Sequence, residues 1–111
     1  MICSKWAVLG RGIQLLPGCI INAGAEIGEN VIVNSGAIVE HDCIIGDHAH
    51  IATGAKLAST VRVGAGAHIG AGATVRQCII IGNDAVVGAG AVVVKDVPPN
   101  ITVVGVPAHP L

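Results

Sequence analysis

Five histidines, His41, His48, His50, His68 and His109, are the side chains of this 111-residue chain best suited to moving a proton near neutral pH. His41 stands in the run Glu40-His41-Asp42-Cys43, between two carboxylates. A neutral imidazole in that setting takes the proton of an attacking amine or hydroxyl, while Glu40, Asp42 or the nearby Asp47 orients the ring and favours its charged form. His50 follows His41 by nine residues, and His68 follows His50 by eighteen. The four cysteines, Cys3, Cys19, Cys43 and Cys78, form no C-x-x-C pair, so neither a zinc knuckle nor a redox motif is indicated. Cys43 is two residues from His41, but its place in the repeat points it inward, which argues against a nucleophile.

The elements that hold these residues follow from a period of six. From Cys3 the sixth-residue series runs through Leu9, Leu15 and Ile21 to Val87 and Val93, and fifteen of its sixteen members are aliphatic. Four places after each lies a second series that is mostly small, including Ala7, Cys19, Ala25, Ala37 and Cys43. Glycine often follows the aliphatic residue, as at Gly28, Gly46, Gly64, Gly70 and Gly88, and is expected to relieve unusual backbone angles at corners. A helix would repeat its apolar residues every three or four positions, and 16 glycines would each cost it about 1 kcal/mol relative to alanine. A hairpin sheet would not need an aliphatic anchor and a small residue at fixed places in every hexad.

Three hexads per turn make a three-sided prism of short parallel strands, with the aliphatic residues inside. The pattern predicts an all-β chain, a parallel β-helix of about five coils over residues 1–98. Residues 99–111, opened by Pro98-Pro99, read as a return segment that caps the last coil. In such a prism His41 falls on a corner and His50 lies half a coil further round, so the two point apart within one column. They share a site only if a neighbouring column supplies one of them, as a threefold assembly would. His50 and His68, one full coil apart, should stack on one face.

Composition excludes several functions. Apolar residues make up 52% of the chain and mean hydropathy is +0.75. No stretch, however, approaches the roughly 20 uninterrupted apolar residues of a membrane span. The first residues lack the pattern of a signal peptide, so a cytoplasmic location is expected. A net charge of −1, one Trp and no Phe or Tyr leave neither the basic surface nor the stacking platforms of a nucleic-acid binder.

The stretch from Val39 to Leu111 resembles the bacterial sugar acetyltransferases that include sialic acid O-acetyltransferase and the N-acetyltransferase of UDP-linked amino sugars. The resemblance rests on Val39-Glu40-His41-Asp42-Cys43, Gly46-Asp47-His48-Ala49-His50-Ile51, Gly88-Ala89-Gly90-Ala91-Val92-Val93, Lys95-Asp96-Val97-Pro98 and Val104-Gly105-Val106-Pro107-Ala108. It corresponds to the C-terminal domain of those proteins and implies a left-handed helix, a homotrimer and acetyl-CoA bound in the groove between columns. The acceptor is implied to be a small molecule, a sugar or nucleotide sugar, taking the acetyl group on an amine or hydroxyl. His41 would match the general base and Asp42 the carboxylate beside it. His50 would match the histidine that contacts the acetyl end of the cofactor, and the backbone N–H near Ser59 the donor to the thioester carbonyl. Lys95, Gly70 and Gly88 would line the coenzyme A tunnel.

Two departures stand out: Ser59 replaces the usual glycine, and His109 stands where the family typically has lysine. Two rival readings are a trimeric scaffold without catalysis and a metal-dependent hydratase. Carbonic anhydrases of this fold use a histidine pair five residues apart, and no two histidines here have that spacing, so no metal site is expected.

Overall fold

The computed structural model describes all 111 residues, and every regular element in it is a β-strand. The first coil is β1 (Ile2–Cys3), β2 (Val8–Leu9) and β3 (Gln14–Leu15). The second is β4 (Ile20–Ile21), β5 (Glu26–Ile27) and β6 (Ile32–Val33). The third is β7 (Ile38–Val39), β8 (Ile44–Ile45) and β9 (His50–Ile51). The fourth is β10 (Lys56–Leu57), β11 (Arg62–Val63) and β12 (His68–Ile69), and the fifth is β13 (Thr74–Val75), β14 (Ile80–Ile81) and β15 (Val86–Val87). β16 (Val92–Val93), β17 (Thr102–Val104) and β18 (His109–Pro110) follow.

Strands from successive coils pair in parallel to make three faces of a column measuring 37 × 21 × 20 Å. Face A stacks β1, β4, β7, β10, β13 and β16; face B stacks β2, β5, β8, β11 and β14; face C stacks β3, β6, β9, β12, β15 and β17 and ends in antiparallel β18. Partners are eighteen residues apart, as in Ile32, His50, His68 and Val86 across face C. From β4 to β16 each strand turns its first residue outward and its second into the core. From Ile21 to Val93 every member of the aliphatic series is buried, as is every small residue from Cys19 to Ala91. Each large aliphatic side chain so buried contributes about 1.5–3 kcal/mol.

The glycines that follow the aliphatic residues do not serve the purpose expected of them. The left-handed backbone lies three places after the aliphatic residue, at every sixth position from Gly12 to Gly90, and Asn30, Asp42, His48, Thr60, Cys78 and Asp84 hold it as well as glycine does. At Gly70 the reason is proximity: a Cβ there would lie 2.6 Å from the Ala89 nitrogen and the Val87 oxygen of the coil above. Stacking distance, not backbone twist, excludes a side chain from that place.

Beyond Val93 the register shortens. Ile81 bridges Val97 and Val87 pairs with Val103, sixteen residues apart, so Val97 takes the inward place that an unbroken hexad would give to Pro99. The chain then doubles back over the last coil: Val92 donates its N–H to the Gly105 carbonyl and accepts from the Ala108 N–H, while Leu111 donates to Thr102. At the other end β1, β2 and β3 have no coil beneath them, and Ile2, Trp6 and Val8 are exposed.

Candidate active site

His41 and Asp42 occupy the vertex where the chain turns from face A to face B. Asp42 is in the left-handed conformation, φ 63°, which carboxamide and carboxylate residues tolerate better than most. That backbone turns its side chain toward its neighbour, and Oδ2 accepts a hydrogen bond from His41 Nδ1 at 3.0 Å. Gly24, one coil below, completes the seat, because a Cβ on it would collide with Asp42 Oδ1. Both members of the pair are more than half exposed, 57% and 64%, so the column alone does not shield them from water. With Nδ1–H committed to the carboxylate, Nε2 carries the lone pair and is the basic nitrogen. Glu40 and Asp47 do not share the task expected of them. Asp47 lies on the next vertex, between faces B and C, where its Oδ1 accepts from the Glu29 N–H at 2.8 Å.

Ser59 stacks on the same vertex one coil above His41, with the Thr60 N–H donating to the His41 carbonyl. The Ser59 N–H has no acceptor within the chain, which leaves it free for an incoming oxygen. Lys95 closes the strip two coils higher, exposed and without an ion-pair partner. His41, Asp42, Ser59 and Lys95 therefore form one line along the A/B vertex.

His50 is on β9, in the middle of face C, opposite that vertex. Its ring is half-buried between Asn34, whose Nδ2 is 3.3 Å from His50 Nε2, and His68, whose ring meets it edge to face with centroids 4.8 Å apart. Burial, and then the neighbouring His68, push the His50 pKa below the ordinary histidine value. Asn34 was not evident from the sequence. The signal is its offset of sixteen residues from His50, which sets a corner side chain beside the outward residue of the next coil. Gly70 and Gly88 follow face C at the corner leading to face A; Gly70 is buried and Gly88 half-buried, so in one column Gly70 presents no surface to a ligand. Nothing resembling a cleft exists on the isolated column.

Two of the four thiols are structural. Cys19 and Cys43 are buried, and Cys43 donates to the Ala58 carbonyl at 3.1 Å. Burial pushes the Cys43 thiol above its usual value, which suppresses the thiolate that a nucleophile needs. Cys78 is exposed at a turn on the A/B vertex.

The coils of three hexads around an aliphatic core are matched by a family model described as bacterial transferase hexapeptide (six repeats), over residues 24–59 and 60–95. The chain belongs to the bacterial hexapeptide-repeat transferases. Solved structures similar to this chain include the acetyltransferase domain of PglB from Neisseria gonorrhoeae FA1090 in complex with acetyl coenzyme A, 40% identical with a TM-score of 0.98. PerB from Caulobacter crescentus, in complex with CoA and GDP-perosamine, is 42% identical with a TM-score of 0.98. The match covers 99% of this chain and 54% and 53% of those two, so the chain spans about half their length. A galactoside acetyltransferase in complex with coenzyme A shares the fold at 22% identity and a TM-score of 0.85, over 94% of this chain and 63% of that one. No curated protein sequence matches this chain.

Proposed function

We propose that this hexapeptide transferase moves an acetyl group from acetyl-CoA to an amino group of a nucleotide-linked sugar, as a homotrimer whose reactive clefts lie between columns. The observation that carries the reading is the His41–Asp42 hydrogen bond on an open vertex, on the opposite side of the column from His50. The acetyl-CoA and sugar-nucleotide complexes of the PglB domain and PerB support the substrate classes.

In this mechanism His41 Nε2 takes the proton from the acceptor nitrogen as that nitrogen bonds to the thioester carbon. Asp42 holds the ring by Nδ1 and stabilises the imidazolium. The carbonyl oxygen, now negative, is met by the free Ser59 N–H and by His50 from the neighbouring column. Collapse reforms the carbonyl, breaks the carbon–sulfur bond and returns the proton from His41 to the departing thiolate. Lys95, further along the vertex strip, faces the anionic end of the coenzyme.

The test is release of free thiol from acetyl-CoA with a panel of nucleotide-linked amino sugars and hydroxyl acceptors, alongside melting with and without coenzyme A. Thiol release with an amino-sugar acceptor and a raised melting temperature are expected, since a ligand that binds only the folded state stabilises it by mass action. No melting shift at millimolar coenzyme A would instead favour a scaffold without catalysis.

A further inference from the structure

The face C histidines form a device that acetyl transfer by His41 does not by itself require. The Ser35 N–H donates to Asn34 Oδ1 at 2.7 Å, and this bond fixes which way the Asn34 amide points. Its NH2 group is thereby turned to His50 Nε2. An NH2 group only donates, so Nε2 must carry the lone pair and the ring proton is on Nδ1. Nδ1 has no partner within the chain. The His68 ring covers the other side of His50 at an interplanar angle of 81°, from the equivalent place one coil higher.

No counter-ion faces this pair. The outward residues on face C are Gln14, Ile32, His50, His68, Val86 and Thr102, with His109 at the far edge turned to the Pro107 carbonyl. On the adjoining vertex Asp47 is engaged by Glu29, and His48 Nδ1 is 3.4 Å from Asn30 Nδ2. Protonation of His50 would set a donor against the Asn34 NH2 and a charge beside His68. The depressed pKa of His50, caused first by burial and then by His68, agrees with that geometry.

We propose that His68 is a positioning residue of the transfer site: its ring clamps His50 against Asn34, so that His50 presents a fixed, uncharged Nδ1–H to the thioester carbonyl. This rests on the acetyltransferase reading, in which His50 meets the acetyl end of the coenzyme. His68 touches neither substrate; it acts through His50.

Three variants of the whole trimer, His68→Ala, His68→Phe and His50→Ala, separate the possibilities, with long-range 1H–15N spectra of labelled histidines beside the kinetics. In the parent protein the His50 nitrogens should report the Nδ1–H tautomer and titrate below an ordinary histidine. His68→Ala should lower kcat/KM for acetyl-CoA by about tenfold or more, with the acceptor KM unchanged and the His50 tautomer no longer fixed. His68→Phe, which keeps a flat ring and removes the second titratable group, should recover most of the rate, while His50 titrates closer to its ordinary value. Unchanged kcat/KM and unchanged His50 nitrogen shifts in folded His68→Ala would overturn the proposal while leaving an inactive His50→Ala, and so the transferase reading, in place. A fully active His50→Ala would remove His50 from the reaction, and the role of His68 with it.

Discussion

The A/B vertex and face C solve the problem of presenting a histidine in opposite ways. On the vertex His41 is exposed and held by a carboxylate, through a left-handed Asp42 that glycine at 24 makes room for. On face C His50 is half-buried in a regular strand and held by an amide and another ring, with no carboxylate near. A carboxylate partner favours the charged imidazolium, while an NH2 donor and burial favour the neutral ring. In the proposed reaction the first histidine takes up a proton and the second stays uncharged.

The corners repeat the contrast. The left-handed places beside face C, on the way to face A, are all glycine from Gly18 to Gly90, whereas the A/B vertex carries Asp42, Thr60 and Cys78 at the same place. A side chain in that conformation costs about 1–2 kcal/mol, and Thr60 is a β-branched case. The column tolerates that strain on the B/C vertex as well, at Asn30, His48 and Asp84, so only the corner leading from face C to face A is kept to glycine.

The largest effect should come from His41→Ala, with a loss of about 10²- to 10⁴-fold in acetyl transfer. Its melting temperature should hardly move, because the side chain is exposed and packs on nothing in the core. Asp42→Asn should cost about tenfold, since an amide still fills the space but no longer stabilises the imidazolium; equal activity in a folded Asp42→Asn would break the contrast at the vertex.

Gly24→Ala and Gly36→Ala sharpen it further. Both residues are left-handed, at φ 77° and 68°, so both substitutions should destabilise the column by about 1–2 kcal/mol in denaturant melts. Nothing lies within 4 Å of a Cβ at Gly36, whereas at Gly24 it would strike Asp42 Oδ1, so only Gly24→Ala should also slow transfer, by about threefold or more.

The smallest effect is on pH dependence. The folded pKa of His50 lies below its unfolded value, so its contribution to stability is whole above about 6.5 and is lost as pH falls through that value toward the depressed one. Melting between about pH 7.5 and 5.5 should therefore fall more steeply in the parent protein than in His50→Gln. Parallel curves would show that face C does not disfavour the charged ring.

Much of this was legible in the sequence because burial in the column repeats as strictly as the aliphatic series. The faces, the coil count, the inward cysteines and the stacking of His50 on His68 all follow from counting by six. Other features obey no single residue type. The left-handed place accepts Asn, Asp, His, Thr and Cys, so it leaves no letter pattern to read. The shortened last coil was hidden because Val97 is apolar and takes the inward place without breaking the look of the hexad. Asn34 was missed because contacts between coils run at offsets of sixteen as well as eighteen. The separation of His41 on a corner from His50 on a face was, by contrast, read by counting along the hexads.

Because His41 and His50 lie on opposite sides of one column, each cleft of the proposed trimer draws His41 from one copy and His50 from another. Mixing decides this: inactive His41→Ala and His50→Ala subunits, unfolded together and refolded into shared trimers, should regain about a quarter of parental activity, since about one interface in four receives both intact histidines. If the mixed trimers form and remain as inactive as either parent, the two histidines do not meet across an interface.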